Sequence, residues 1–510
     1  MVCAGLVLVI LLQRLDKITP VEAFQAVPRD AILFMEEVDY EYISETFIPH
    51  NRIWIDFVNT TGRTGIDSAI NRLIMRIGNN EALGELLLKE GFSISIHLQG
   101  KDQLVPVFYI SYGGYHGDHE FEEQVLSLLS GETLVNERKY EAETLYDISV
   151  ESGHLPGKFT FCCVDGLFLF SPSSLLVENA VRTIHAGTGQ EGDQGLQLVR
   201  GTAGRYVHAN IYIQYSRVHL LLYPLIREQH WGLLNSLAML ATWGELDLDI
   251  KEDAMVLNGM TLAEGDAPLF LGAFTGQSPV KMELHEMMPS GTSSFIHLGV
   301  SDLAAFREKM EDYIVRAGER DKVEIERERL EREYGIDPLG DLFRIMDDEM
   351  TWFALEEGTP GPGNEIMLLE TRSQSETEEV VVRWIEQYLK VQVFDMESYR
   401  HLYRLDNQTS FPVYRLPELF YGGTLPGRMF NTHLAVYEGC LIFGPSVDAI
   451  SRVIYQNILH KTFVTDPFFK EISDYLANRS NLTFYFRPFT YLDHRKELIR
   501  ESMFEKIETM

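Results

Sequence analysis

Apolar and polar positions along this chain form short runs broken by acid–glycine dipeptides. Residues 158–170 read KFTFCCVDGLFLF, two apolar runs on either side of Asp165-Gly166. Such a dipeptide predicts a hairpin, because glycine accepts the positive φ of a tight turn. Residues 433–443, HLAVYEGCLIF, repeat the arrangement around Glu438-Gly439. Ser171-Pro172-Ser173 and Gly444-Pro445-Ser446 follow. A capping residue followed by proline predicts helix starts with Pro172 and Pro445 in the first turn. Val177, Ala180, Val181 and Ile184 then make a helical apolar stripe, and Ile450, Val453 and Ile454 repeat three of its positions. Each passage therefore predicts hairpin, turn, helix, with Gly166 and Gly439 as structural turn positions.

The likeness extends further. Gly166 and Gly439 lie 273 positions apart, and so do two LIRE tetrapeptides at 225–228 and 498–501. ALGELL (82–87) answers PLGDLF (338–343). Pro28, before AILFMEEVD, answers Pro289, before SSFIHLGVSD. Matches in one order predict an internal duplication with a period of roughly 260 residues. The expected divisions are 1–27, a residual membrane or signal segment with a linker, 28–287, copy one, and 288–510, copy two. Copy one closes with WGELDLDI, where Leu246, Leu248 and Ile250 alternate with Glu245, Asp247 and Asp249. That pattern predicts a half-buried strand with a wet acidic face. Its counterpart would fall beyond Met510, so copy two is expected to be truncated at its C-terminus. The expected fold class is α+β: two tandem copies, mostly antiparallel sheets, helices packed on one face.

The run VCAGLVLVILL (2–12) is followed by Gln13, Arg14 and Lys17. It is shorter than the roughly 20 residues that span a bilayer. It is expected to be the end of a transmembrane or signal segment, with a buried strand or helix as the alternative. The duplicated unit, the strand Pro28-Arg29-Asp30-Ala31-Ile32-Leu33-Phe34 and the hairpin ELDLDIKEDAMVLNG (245–259) resemble a family of large envelope proteins of Gram-negative bacteria. That family is defined only as a domain of unknown function. The resemblance implies an exported, N-terminally anchored protein, often with a propeller-like region downstream, and transfers no catalytic residues.

Composition narrows the partners. The chain has 510 residues, 45% hydrophobic and 11% aromatic, enough for sizeable cores. Acids outnumber bases 76 to 44, a surplus of 32. That balance argues against nucleic acid and against docking on an anionic bilayer surface. No CxxC pair occurs among the four cysteines, and neighbours Cys162 and Cys163 should face opposite sides of a strand.

Candidate chemistry is sparse. His116, Asp118, His119 and Glu120 are metal-ligating types within one short loop, and His116 and His119 are weak metal candidates. Gly187, Gly189 and Gly192 have GxGxxG spacing but follow a helix, which predicts a helix stop and flexible loop rather than a nucleotide site. SGHLPGKFT (152–160) reads as a turn. MDDEM (346–350) offers Asp347, Asp348 and Glu349, expected in a polar turn before the strand TWFALEE. Residues 302–333 predict two charge-dense, solvated helices. Glycosylation triplets begin at Asn59, Asn407, Asn478 and Asn481. No GxSxG elbow or HExxH helix is present. The expected function is a non-enzymatic, exported, membrane-anchored envelope scaffold or interaction module. It would have no cofactor or catalytic residue, a protein partner, and its bulk in the periplasm or exported. The alternatives are a lipid- or glycan-binding protein with a site between the copies, and a hydrolase.

Overall fold

The computed structural model describes residues 21–42, 91–112, 118–129, 133–150, 157–250, 255–265, 268–318, 320–355, 364–392, 399–405, 409–415, 433–473, 476–487 and 498–501, with a few single residues besides. Two compact units divide the chain, Met1–Gly265 with Leu498–Met510, and Asp266–Glu497.

Unit 1 is built on ten strands: β1 Leu33–Val38, β2 Phe92–Gln99, β3 Gln103–Ser111, β4 Thr133–Tyr140, β5 Glu143–Val150, β6 Gly157–Val164, β7 Leu167–Ser171, β8 Ala209–Gln214, β9 Trp243–Ile250 and β10 Met255–Leu262. They form one sheet in the order β10-β9-β8-β1-β2-β3-β7-β6-β5-β4. Unit 2 holds β11 Val280–Lys281, β12 Thr292–Gly299, β13 Met346–Leu355, β14 Glu365–Thr371, β15 Arg400–Arg404, β16 Ser410–Arg415, β17 His433–Tyr437, β18 Cys440–Gly444, β19 Arg479–Ser480 and β20 Leu482–Phe486. Its main sheet runs β20-β12-β13-β14-β18-β17-β16-β15, and β11 pairs β19 apart from it. With β20 taken as eighth, this is the order β8-β1-β2-β3-β7-β6-β5-β4 of unit 1. Adjacent strands are antiparallel, as β6–β7 and β17–β18 show. The fold is α+β.

Local chemistry sets the hairpins. Asp165 and Gly166 have φ of 46° and 80°, and Glu438 and Gly439 have 47° and 73°. Positive φ at both central residues is the type I′ turn, whose twist matches that of the strands. The helix starts lie two positions later than expected. Ser173 and Ser446, the residues after the prolines, are the N-caps of helices Ser174–Ala186 and Val447–Ile458. Pro172 and Pro445 therefore stand just outside the helices. Ser171 still belongs to β7, and its hydroxyl donates to the Pro106 carbonyl, so it has no helix to cap.

Helices cover both faces of each sheet, not one. Phe161, Cys163, Phe168 and Phe170 pack with Phe121, Val125 and Leu129 of helix Asp118–Leu129. Cys162, Val164, Leu167 and Leu169 pack on the other face with Val177, Ala180 and Val181. In unit 2, Leu441 and Phe443 meet Val381 and Trp384, while Ile442 faces Ile450 and Val453. The cause is apolar residues at both parities of the central strands: β7 and β18 are buried at every position.

The acidic face of β9 is wet only toward its end, where the Asp249 side chain is 41% exposed. Glu245 is fully buried, and Asp247 accepts from the Gly204 N–H at 2.7 Å and the Asn210 amide at 2.9 Å. The turn after helix Gln194–Arg200 roofs these acids. It approaches so closely that a Cβ on Gly204 would lie 2.6 Å from Asp247 Oδ2.

The units divide ahead of the expected boundary at Met287. Val280 already pairs with Ser480, and the N–H groups of Glu283 and Leu284 bond Glu349, which ties this stretch into unit 2. The two LIRE segments also behave unexpectedly, since they pair with each other. Ile226 bridges Ile499, the Arg227 N–H donates to Leu498 at 2.8 Å, and the Arg500 N–H donates to Leu225 at 3.0 Å. Each arginine side chain also reaches across, Arg227 Nε to the Ile499 carbonyl and Arg500 Nε to that of Ile226. Identical short strands suit this arrangement, because antiparallel pairing of a segment with its own copy is locally two-fold symmetric.

Alanine at Gly166 or Gly439 puts a Cβ into left-handed backbone. Each substitution is expected to lower stability by about 1 kcal/mol in urea unfolding. No loss at either site would contradict the turn assignment.

Candidate functional site

Of the two metal candidates, His116 lies outside the described residues. His119 is on helix Asp118–Leu129 with its side chain 86% exposed, 3.4 Å from Glu123 and 3.9 Å from Glu122 one turn on. Asp118 turns away from it, accepting from the Tyr112 hydroxyl at 2.6 Å and the Gly166 N–H at 3.1 Å. Asp118 thus ties the start of its helix to the β6–β7 turn, and the two residues do not converge. Gly187 ends helix Ser174–Ala186 in left-handed conformation, as a helix stop should. The stretch after it is packed rather than a flexible loop. A Cβ on Gly189 would meet the Gln25 carbonyl at 2.2 Å, and Gln190–Gly192 is a 3-10 turn. Of the phosphate-loop look-alike, Gly153 lies outside the described residues and Gly157 opens β6.

MDDEM is not a turn. It opens β13 and carries the most concentrated polar chemistry in unit 2. Glu349 is buried, and its Oε1 accepts from the Glu283 N–H at 2.8 Å. Its Oε2 accepts from the N–H groups of Glu283 at 2.9 Å and Leu284 at 3.0 Å, and lies 3.1 Å from Nε2 of fully buried His297. The carboxylates of Asp348, Glu349 and Glu370 come within 4.8 Å of one another. Burial, and then the hydrogen bond with Asp348 and the nearby carboxylates, push Glu370 up to about 8. Glu370 therefore holds a proton at neutral pH. Glu370 also lines a cavity of about 620 Å³ with Glu283, Glu286, Glu438, Cys440 and His460. Burial raises the Cys440 thiol to about 12, so it is not a ready nucleophile. Three carboxylates are a ligand set for a divalent cation by type. Glu349, however, already gives its lone pairs to two amides and an imidazole, so it is a structural acceptor rather than a free ligand, while Glu370 Oε2 and His297 Nδ1 are buried without a hydrogen-bond partner among the described residues.

Unit 1 holds a second buried chain of polar groups. Asp30 lies 3.3 Å from His97 Nδ1, His97 Nε2 is 2.8 Å from Ser95 Oγ, and that hydroxyl is 2.8 Å from the Tyr109 hydroxyl. The order carboxylate, imidazole, hydroxyl matches a nucleophilic triad. Ser95, His97 and Tyr109 are all buried in the sheet, though, so the hydroxyl is sealed from any substrate. Ser-x-His on one strand face was the available sequence signal, but two polar residues at that spacing are ordinary in strands.

The remaining feature is a surface. On β20, Leu482, Phe484 and Phe486 share one face, and Phe484 is 64% exposed. Ile296 of β12, paired directly with Phe484, is 41% exposed. Asn481 accepts from the Gly299 N–H, and the Arg487 N–H donates to Ser293. By the two-residue alternation of a strand, the backbone groups of Leu482 and Phe484 face the opposite, outer edge. Among the described residues no strand pairs with that edge. Compared with known proteins, the chain matches no family model, no curated protein and no solved structure.

Glu349→Ala strands two buried amides and His297, and is expected to cost about 3 kcal/mol or more in chemical unfolding. Glu370 gives a pH signature. Its folded value of about 8 lies above the ordinary 4.5, so the folded state keeps a proton that the unfolded chain has lost. Stability should fall as pH rises from about 5 to about 8. Glu370→Gln should flatten that slope and raise the melting temperature at pH 8 by about 2 °C or more. An unchanged slope would exclude a protonated Glu370 at neutral pH.

Proposed function

We propose that this protein is a non-enzymatic interaction module or scaffold of the bacterial envelope. In this reading it is exported, held by an N-terminal membrane segment, and built from two copies of one α+β unit. The observation that carries the reading is the outer edge of β20 with the exposed ladder of Ile296, Leu482 and Phe484. Open sheet edges are normally blunted by charge, proline or a covering element. An open edge with large apolar side chains is how a protein presents a surface to another protein. The buried polar chains support the same view, because Ser95, His97 and Tyr109 in unit 1 and His297 and Glu349 in unit 2 lie inside the sheets, away from any substrate.

The duplication reading draws support from the common strand order and from shared detail. Phe34 stacks on Tyr212 and Phe295 on Tyr485, each pair linking the first and last of the eight ordered strands. Anchoring rests on the apolar run 2–12, which lies outside the described residues. Among the described residues no helix is long and apolar enough to cross a membrane. A second reading, small-ligand binding, is favoured by the cavity of about 620 Å³ in unit 2, a volume within the usual range for ligand sites.

The test is cross-linking and pull-down from envelopes with the native protein and with Phe484→Lys. The exposed substitution should leave unfolding free energy within about 0.5 kcal/mol. It should nevertheless abolish capture of the protein partner. Equal capture by both proteins would remove the edge from the interaction. Lipid or glycan co-purifying with both, without a protein partner, would transfer the function to the cavity.

A further inference from the structure

We infer that β20 receives a β-hairpin from a partner protein, an antiparallel strand whose aliphatic residues alternate with acids, as β9 does beside β8 in unit 1. The inference rests on the interaction reading above and names the chemistry of what that edge takes.

The argument begins from matched positions. Phe34 pairs with Tyr212 of β8, and Phe295 pairs with Tyr485 of β20. The same register places Leu482 where unit 1 has Ala209, and Phe484 where it has Ile211. In unit 1 these positions are covered. Ala209 is 1% exposed, and Ile211 packs against the core on that face. The cover is β9, paired with β8 from Ala209↔Leu248 through Ile211↔Leu246 to Gln214↔Trp243. Its Leu248 and Ile250 enter the core beside Ala209, while Asp247 turns to the other face and bonds Asn210. β10 then pairs with β9 along its whole length. In unit 2 the same face of the same strand carries larger apolar side chains, and they are exposed.

Three requirements on the occupant follow. Its backbone must be extended and antiparallel, to bond the outward groups of Leu482 and Phe484. Every second residue must be aliphatic, to lie on Leu482 and Phe484 as Leu248 and Leu246 lie on Ala209 and Ile211. The intervening residues should be acidic. The pattern follows β9, whose Asp247 turns to the opposite face and bonds Asn210, and Arg479 stands just before β20; Arg487 and Lys281 are already paired, with Asp466 at 2.7 Å and with Glu283 at 3.1 Å.

The chain itself supplies the probe. A synthetic peptide of residues 243–262, WGELDLDIKEDAMVLNGMTL, carries the β9–β10 hairpin. It is titrated into the whole protein by fluorescence anisotropy, with hydrogen exchange read at the amides of Leu482 and Phe484. Saturable binding and at least about tenfold slower exchange at those amides are expected. The Phe484→Lys protein should bind at least about tenfold more weakly, a peptide with Leu246→Lys and Leu248→Lys should not bind, and protection should not change in β8.

Several results would overturn the inference. A scrambled peptide that binds equally well removes the pattern requirement. Protection without peptide that grows with protein concentration assigns the edge to a second copy. Protection without peptide that is independent of concentration means the chain covers its own edge. Absence of binding while Phe484→Lys still abolishes partner capture rejects this hairpin chemistry and leaves the interaction reading standing. Absence of both effects rejects the two together.

Discussion

The central strands of both sheets are clamped between two apolar layers, and this governs where polar groups can go. A carboxylate or imidazole inside such a sandwich loses water on both sides and must find its partners within the protein. Glu349 takes two backbone amides and His297. His97 takes Ser95 and Asp30. Glu370, crowded by acids, keeps its proton instead. These clusters look like active sites when reduced to residue types. Most of their hydrogen bonds run inward, although Nδ1 of His297 and Oε2 of Glu370 are buried without a hydrogen-bond partner among the described residues.

The same clamp explains where exposed apolar surface can persist. Inside the sheet every strand has neighbours on both sides, so apolar residues are covered without special provision. At an edge, cover has to be added. Unit 1 adds it with β9 and β10, and the side chains of β8 are accordingly small or tucked into the core. At β20 the side chains are large and the edge has no described neighbour. Surface of that kind is costly to keep in water, at about 25 cal/mol per Å² of apolar area left uncovered. The exposed Phe484 and Phe486, beside Leu482 and Ile296, are where unit 2 leaves that cost unmet.

Much of this was legible in the sequence where the determining interaction is local. Asp165-Gly166 and Glu438-Gly439 fix their turns through the backbone freedom of two residues, so the hairpins could be read directly. The opposite orientations of Cys162 and Cys163 follow from strand geometry alone. Apart from the helix starts, where the serine after each proline caps instead of the residue before it, the failures involve partners distant in sequence. MDDEM reads as a turn because three adjacent acids are costly to bury. What makes burial of Glu349 possible is a pair of amides at residues 283 and 284 and an imidazole at 297. The acidic face of β9 was expected to be wet because the roof over it, at Gly204, is invisible from the alternation itself. The open edge of β20 depends on which strand is its neighbour, a property of topology rather than of the segment.

Comparison of the two units separates what packing demands from what polar chemistry leaves open. The aromatic pairs Phe34–Tyr212 and Phe295–Tyr485 occupy matched positions and stack in the same way. Two residues after each phenylalanine the units part. Glu36 forms a two-point ion pair with Arg200, at 2.7 and 3.2 Å, whereas His297 meets Glu349 at 3.1 Å. Both arrangements give a polar group a charged partner at one place in the sandwich, through elements that lie far apart in sequence. A shape-filling aromatic pair has few substitutes of equal volume, but a buried polar group has many, provided every hydrogen bond is met. If the units descend from one ancestor, their apolar layers would record the common fold while the polar chains drifted. That predicts where any functional difference between the units should be sought: in what each sheet leaves uncovered at its eighth strand, since their interiors solve the same problem in different ways.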